Sequence, residues 1–257
     1  MTLAGIELVY LVNDIGEKTS GYYASNIWGI NRNSLLFKLH HPTKPDIMLM
    51  VSSIGMWITD KKIETIEPNK MLRRLRSDLL RAKLTKIEQI GTERIAYFTF
   101  TNFEKEFTLI VEFFGDGNII LCNEERKILA LLHSIDVRHR QLRVGLEYNP
   151  PPEDGLDVLN LTKESFRGLF SSSGIGKTIG RGLGLPKKYF EEIIRLSGID
   201  SKKPSNEITE EEFESLYEII TSTLSKVTQG PHDPSVIIED DIHDAYPIRF
   251  SDDNLNA

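Results

Sequence analysis

Four apolar segments crowd together between residues 95 and 135: IAYFTF (95–100), EFTLIVEFF (106–114), NIILCN (118–123) and ILALLHSI (128–135). The connections Thr101–Lys105, Gly115–Gly117 and Glu124–Lys127 are too short to carry a crossover helix. Segments joined in this way pair as an antiparallel meander. An earlier group has the same period of two: YYASNIWGI, SLLFKLH, DIMLMVSS and MWIT, between Tyr22 and Thr59. It is broken at Asn31–Asn33, His41–Thr43 and Ile54–Gly55, all turn chemistry. Helical patterns precede each group, so residues 1–149 read as an α+β sheet domain.

The first helical pattern is LAGIELVYLVNDI, residues 3–15, with Thr2 as its cap and Gly16 as its stop. It is apolar over most of its circumference, except at Glu7 in its middle. A carboxylate there either faces water at the helix edge or pairs with a cation, because a lone buried charge is very costly.

The second pattern, from Pro68, is basic and amphipathic, with Pro68 suited to the first turn. Leu72, Leu75, Leu79 and Ala82 recur on one helical face. Arg73, Arg74 and Arg81 fall on the far side, and Arg76 and Lys83 run along the edge of the stripe. Between Lys70 and Lys86 there are seven basic residues (70, 73, 74, 76, 81, 83, 86) and one acid, Asp78, a local +6 in a chain of net charge −7. That surface is either a solvated helix face or a contact for phosphate. The turn Gly91-Thr92-Glu93-Arg94 sets an exposed Glu-Arg tip beside it.

Several function classes are excluded or disfavoured by composition. The 257 residues are 40% hydrophobic and 27% charged, ordinary for a folded soluble protein. The single cysteine, Cys122, can build neither an internal disulfide nor a cysteine-type zinc site. The six histidines show no HxxxH or HExxH spacing, so neither metal nor cofactor is expected. No stretch reaches 18 apolar residues and no signal peptide opens the chain, which points to the cytoplasm and away from a membrane partner. Serine, histidine and aspartate are nowhere spaced as a catalytic group, so no catalytic residue and no small-molecule substrate is assigned.

Pro150-Pro151-Pro152-Glu-Asp-Gly marks a boundary. Residues 150–230 then read as helical, with helices at Thr162–Phe170, Lys177–Gly182, Pro186–Leu196 and Ile208–Val227, the last opened by a Thr209/Glu212 capping box. Residues 231–257 hold a short strand, SVIIE, and an acidic tail. SSSGIGKT (171–178) nearly matches a Walker A loop, but Ser171 replaces the first glycine and no strand leads into it. The alternative is a phosphate-backbone clamp made by loop N–H groups with Lys177, Arg181, Lys187 and Lys188.

The blocks LAGIELVYLV, LRRLRSDLLRAKLTKIEQIGTERI, VEFFGDGNIILCNEERKIL and GKTIGRGLGLPKKYFEEIIRLSGID together resemble the N-terminal region of the NFACT family, with an archaeal-type member fitting well. The resemblance implies a fold similar to formamidopyrimidine-DNA glycosylase, with a β-sandwich-like first domain and then a helix-two-turn-helix domain. It implies ribosome-associated quality control: binding a large ribosomal subunit that carries a stalled peptidyl-tRNA, and holding alanyl-tRNA for mRNA-independent C-terminal tailing. An acidic residue of the first helix and an Asp-Arg pair after the basic helix contact tRNA in the family. The matching positions are Glu7, Glu93 and Arg94, with Glu in place of Asp at both acids. The family's coiled coil and RNA-binding NFACT-R domain do not follow Ala257, so the chain is expected to be a fragment. A glycosylase remains the enzyme alternative, although Thr2 and Leu3 replace the proline and glutamate such enzymes use. A protein-interaction module is the third.

Overall fold

The structure, a computed structural model, describes residues 3–138, 140–151, 156–238 and 242–251. The chain divides into two compact units, residues 2–152 and residues 153–257.

The first unit opens with α1 (Gly5–Thr19), followed by β1 (Tyr23–Asn31), β2 (Ser34–His40), β3 (Ile47–Ser52) and β4 (Gly55–Ile58). Then come α2 (Lys70–Leu79), β5 (Lys83–Glu88), β6 (Ile95–Asn102), β7 (Lys105–Glu112), β8 (Asn118–Asn123) and β9 (Ile128–Leu131). The nine strands form one antiparallel sheet in the order β4-β3-β2-β1-β5-β6-β7-β8-β9. β6 to β9 are the meander that their short connections require. A small hairpin of β10 (Ile135–Val137) and β11 (Arg140–Leu142) completes the unit.

The halves of the sheet join where β1 meets β5, with Tyr23 opposite Lys83. They also face each other across a core. Phe37 of β2 stacks on Phe100 of β6 with ring centroids 6.0 Å apart. A Cβ on Gly117 would lie 2.3 Å from Cβ of Ser53, so the β7–β8 turn rests directly on the β3–β4 turn. α1 packs on β5 and β4, and α2 packs on β1 and β9. Leu8, Val12, Leu75, Leu79, Leu84, Phe98, Leu109 and Leu121 all lie in this core, and each such side chain stabilises the fold by about 1.5–3 kcal/mol when fully buried.

Both helices differ from their sequence reading. α1 starts at Gly5 rather than residue 3, runs through Gly16 and ends at Thr19. Its buried face is a single stripe of Ile6, Leu8, Val12, Ile15 and Thr19. α2 is capped by Asn69, whose side chain accepts from Leu72 N–H at 2.8 Å, so Pro68 lies outside the helix. It stops at Leu79, and Arg81 takes a left-handed φ of 68°. The cause is tertiary. Arg81 N–H donates to Ala24 O at 2.8 Å and Ala24 N–H to Ala82 O at 2.9 Å, so β1 captures the chain before another helical turn forms.

Glu112, almost wholly buried, accepts from Arg140 and from Tyr148 Oη at 2.9 Å. Arg140 also donates to Asn149 O at 2.9 Å. Burial, and next the Glu112 charge, push the Tyr148 phenol far above its ordinary value. The ion pair is satisfied by these bonds and fastens the end of the unit to β7.

In the second unit, α3 (Lys163–Arg167), α4 (Ile175–Gly182), α5 (Lys187–Ser197) and α6 (Glu210–Gln229) precede a hairpin of β12 (Ser235–Ile238) and β13 (Ile242–Tyr246). Thr209 and Glu212 form the capping box that the spacing foretells. Gly198 ends α5 at a φ of 66°, a conformation that suits glycine. Phe166 stacks on Phe213 at 5.6 Å, joining α3 to α6. The segment after residue 231 is more than a tail: Phe250 is buried against Tyr189 and Tyr246.

Candidate nucleic-acid interface

The turn between β5 and β6 is built from distant parts of the first unit. Gly91 takes a φ of 53°, and Glu93 N–H donates to Ile90 O at 3.2 Å. A Cβ on Gly5 would stand 1.7 Å from Thr92 O, so the start of α1 lies against this turn. Gln89 ties the two: its Nε2 donates to Gly5 O at 2.9 Å and to Glu93 O at 2.7 Å. Its Oε1 is buried and has no hydrogen-bond partner among the described residues.

Glu7 is therefore in the first turn of α1, not its middle. Its Oε2 accepts from Ala4 N–H at 2.7 Å, half of a capping box, and its charge suits the positive end of the helix. Glu7 is half-buried there. Glu93 and Arg94 are half-buried rather than an exposed tip. The Arg94 guanidinium makes no hydrogen bond or ion pair among the described residues, so Glu93 does not hold it in place. Gly5, Gln89 and Thr92 have no signal in the sequence that marks them; only the contact between α1 and the turn reveals them.

The basic residues of the α2 region divide by what they touch. Arg76 Nε donates to Ile27 O at 2.7 Å and is a clip between α2 and β1. Arg74 pairs with Asp78 at 2.5 Å, and Lys86 with Glu88 at 2.8 Å. Arg73 is exposed, with Nη2 donating to Pro68 O at 3.1 Å. Arg81 and Lys83 are exposed too, but on the turn after α2 and on β5, so they do not continue the helix face.

The SSSGIGKT loop of the second unit is closed by its own chain. Ile175 N–H donates to Lys203 O at 2.8 Å and Gly176 N–H to Ser201 O at 3.0 Å. Ser171 N–H donates to the buried Ser205 hydroxyl at 2.8 Å, while the Thr178 hydroxyl lies 3.2 Å from it. The donors that would cradle phosphate are spent on residues 201–205. This corrects the part of the clamp that used loop N–H groups, and it agrees with setting the Walker match aside. Lys177 and Arg181 remain exposed; Lys187 pairs with Glu191 at 3.5 Å, and Lys188 lies over the Phe250 ring at 5.1 Å.

Among the described residues no group of His, Cys, Asp and Glu is placed to hold a metal ion. Burial pushes the Cys122 thiol up to about 12, so it stays protonated and inert. No helix of the described residues is long and apolar enough to cross a membrane.

The family model for the NFACT N-terminal and middle domains matches residues 5–256. The chain belongs to the NFACT family. It is 31% identical over 226 residues to the archaeal Rqc2 homologue aRqcH of Methanocaldococcus jannaschii, covering 83% of this chain and 33% of that protein. Ribosome quality control complex subunit 2 of Saccharomyces cerevisiae is 31% identical over 133 residues, 50% of this chain and 12% of its own length. The chain thus spans a third or less of these relatives. Among solved structures, the fibrinogen binding protein from Staphylococcus aureus superposes with a TM-score of 0.80 at 17% identity, over 97% of this chain and 91% of that one. At that identity the likeness speaks for the fold, and it extends over both units' residues.

Proposed function

We propose that this chain is the tRNA- and large-ribosomal-subunit-binding module of a ribosome-associated quality control factor. In this reading it works in the cytoplasm, has no catalytic chemistry of its own, and holds alanyl-tRNA while a stalled nascent chain receives an mRNA-independent C-terminal tail. The second unit would serve as the family's helix-two-turn-helix domain. Support for the role comes from the relatives named as ribosome quality control factors.

The observation that carries the proposal is the juncture of α1 with the β5–β6 turn. Glu7, Glu93 and Arg94 lie 86 and 87 positions apart in sequence, yet the Gly5–Thr92 contact and the Gln89 bridge gather their backbones. Arg94, half-buried and without a carboxylate partner among the described residues, can fork onto a base edge or stack on an unpaired base. Glu93 is then an acceptor that reads a base, and Arg73, Arg81 and Lys83 meet the phosphate backbone without reading it.

The test is binding of purified tRNAs. Arg94→Ala weakens the preferred tRNA by about 1–3 kcal/mol and an unrelated RNA much less. Glu93→Ala loses discrimination among tRNAs more than total affinity. Replacing Arg73 and Arg81 with Gln flattens the dependence of affinity on salt, because fewer counterions are released. Equal weakening of every RNA by Arg94→Ala would reduce the turn to one more phosphate contact and end the proposal.

A further inference from the structure

The other end of the β5–β6 pair carries an unusual residue. The hairpin from β6 to β7 turns through Phe103 and Glu104, and Phe103 sits there at a φ of 54°. Asn and Gly adopt that conformation readily, whereas a bulky residue does so at a conformational cost. Packing does not compensate it, since Phe103 is 96% exposed. A large ring held in an unfavourable backbone and presented wholly to solvent has its use outside its own chain.

What surrounds the ring says what it meets. On one side Tyr23, Arg81, Lys83, Thr85 and Phe103 line a concavity of about 400 Å³. Arg81, like Phe103, has a left-handed φ and is exposed, and no carboxylate lines this hollow. On the other side lies a second hollow of about 570 Å³, where the Glu104 carboxylate stands with Lys105 and with Asp78, itself paired with Arg74. One flank thus offers cations and hydroxyls, and the other a mixture of charges in which Glu104 is an acceptor.

We propose that Phe103 is a stacking platform for an unpaired RNA nucleotide. The base lies on the exposed ring, the adjoining phosphate is held by Arg81 and Lys83, and Glu104 accepts from exocyclic amino groups. Stacking of this kind tolerates any base, because every base has a π face. The site is separate from the Arg94 turn: eight-residue β6 lies between them, about 26 Å at the usual rise per residue. It rests on the reading of the chain as an RNA binder, and it adds a single-strand contact that the tRNA-reading turn does not require.

The test uses the full chain with a short single-stranded oligoadenylate carrying 2-aminopurine, and with an RNA duplex of similar length. Phe103→Asn relieves the backbone and removes the ring. It should hold or raise the unfolding temperature while weakening oligoadenylate binding roughly tenfold, with loss of the 2-aminopurine quench. Phe103→Trp should restore both, and the duplex should bind all three forms alike. Oligoadenylate affinity unchanged in Phe103→Asn overturns the proposal. So does an acidic peptide whose binding, unlike that of RNA, depends on Phe103, because it makes the patch a protein contact. Should Arg94→Ala abolish tRNA preference while Phe103→Asn does nothing, the proposed function stands and this site falls. The converse result keeps the site and removes the tRNA reading, and no RNA binding at all removes both.

Discussion

Two glycine-led loops look alike in the sequence, Gly91–Arg94 in the first unit and Ser171–Thr178 in the second. Each offers a tight turn beside cations. In the first, glycines let remote backbone approach: Gly5 admits Thr92, and a half-buried guanidinium is left without a partner among the described residues. In the second, glycines admit the chain's own later segment. Gly174 would place a Cβ 2.8 Å from Ser201 O, and residues 201–205 consume the loop's donors. Glycine signals close approach in both cases. What approaches decides whether the loop is a site or a joint.

Substitutions separate the two. Gly5→Val should have the largest effect, because a Cβ at 1.7 Å from Thr92 O forces backbone to move. We expect destabilisation on the order of 3 kcal/mol or more, together with loss of tRNA discrimination, read by denaturant melts and binding. Retained discrimination would mean that α1 and the turn act independently. Gly174→Ala should cost about 1–3 kcal/mol through overpacking against Ser201 and Lys202 and leave nucleotide binding nil, as calorimetry with ATP and GTP would show. Tight binding of either nucleotide would mean that the loop opens as a cradle after all.

Ser205→Ala comes next. It strands Ser171 N–H and loses the hydroxyl bond to Ser171 O at 2.9 Å, which should lower stability by about 1–2 kcal/mol. Hydrogen exchange should quicken at Ser171 and Thr178 first. If the melt does not change, the loop is not held closed by residue 205. Lys177→Ala should be the smallest change, about two- to threefold in RNA affinity as for one lost phosphate contact, and neutral for folding. A larger loss would make this exposed helix a principal RNA surface and erase the contrast with Arg94.

These outcomes bear on how far the chain could be read unaided. The β6–β9 meander was legible because its connections permit nothing else, and the Thr209 start of α6 was legible because capping is local. Arg94 and Glu93 were placed by family resemblance, and Glu7 with them. Their setting was not legible. The sequence carried α2 on through Arg81 and Lys83, since a helical stripe continues to Ala82, but the backbone bonds of β1 to residues 81 and 82 end it earlier.

By itself, then, the sequence determined what depends on neighbours a few residues away: strand periods, turn lengths, caps, and the concentration of positive charge after residue 70. Tertiary structure alone decided which donors and cations stay available. Arg76 is spent on Ile27 O, the SSSGIGKT donors on residues 201–205, and Glu7 on the start of its own helix. Arg94 and Phe103 are spent on nothing within the described residues. The reason is physical: hydrogen bonds saturate, and a group's partner is set by what packs against it, which no spacing along the chain records.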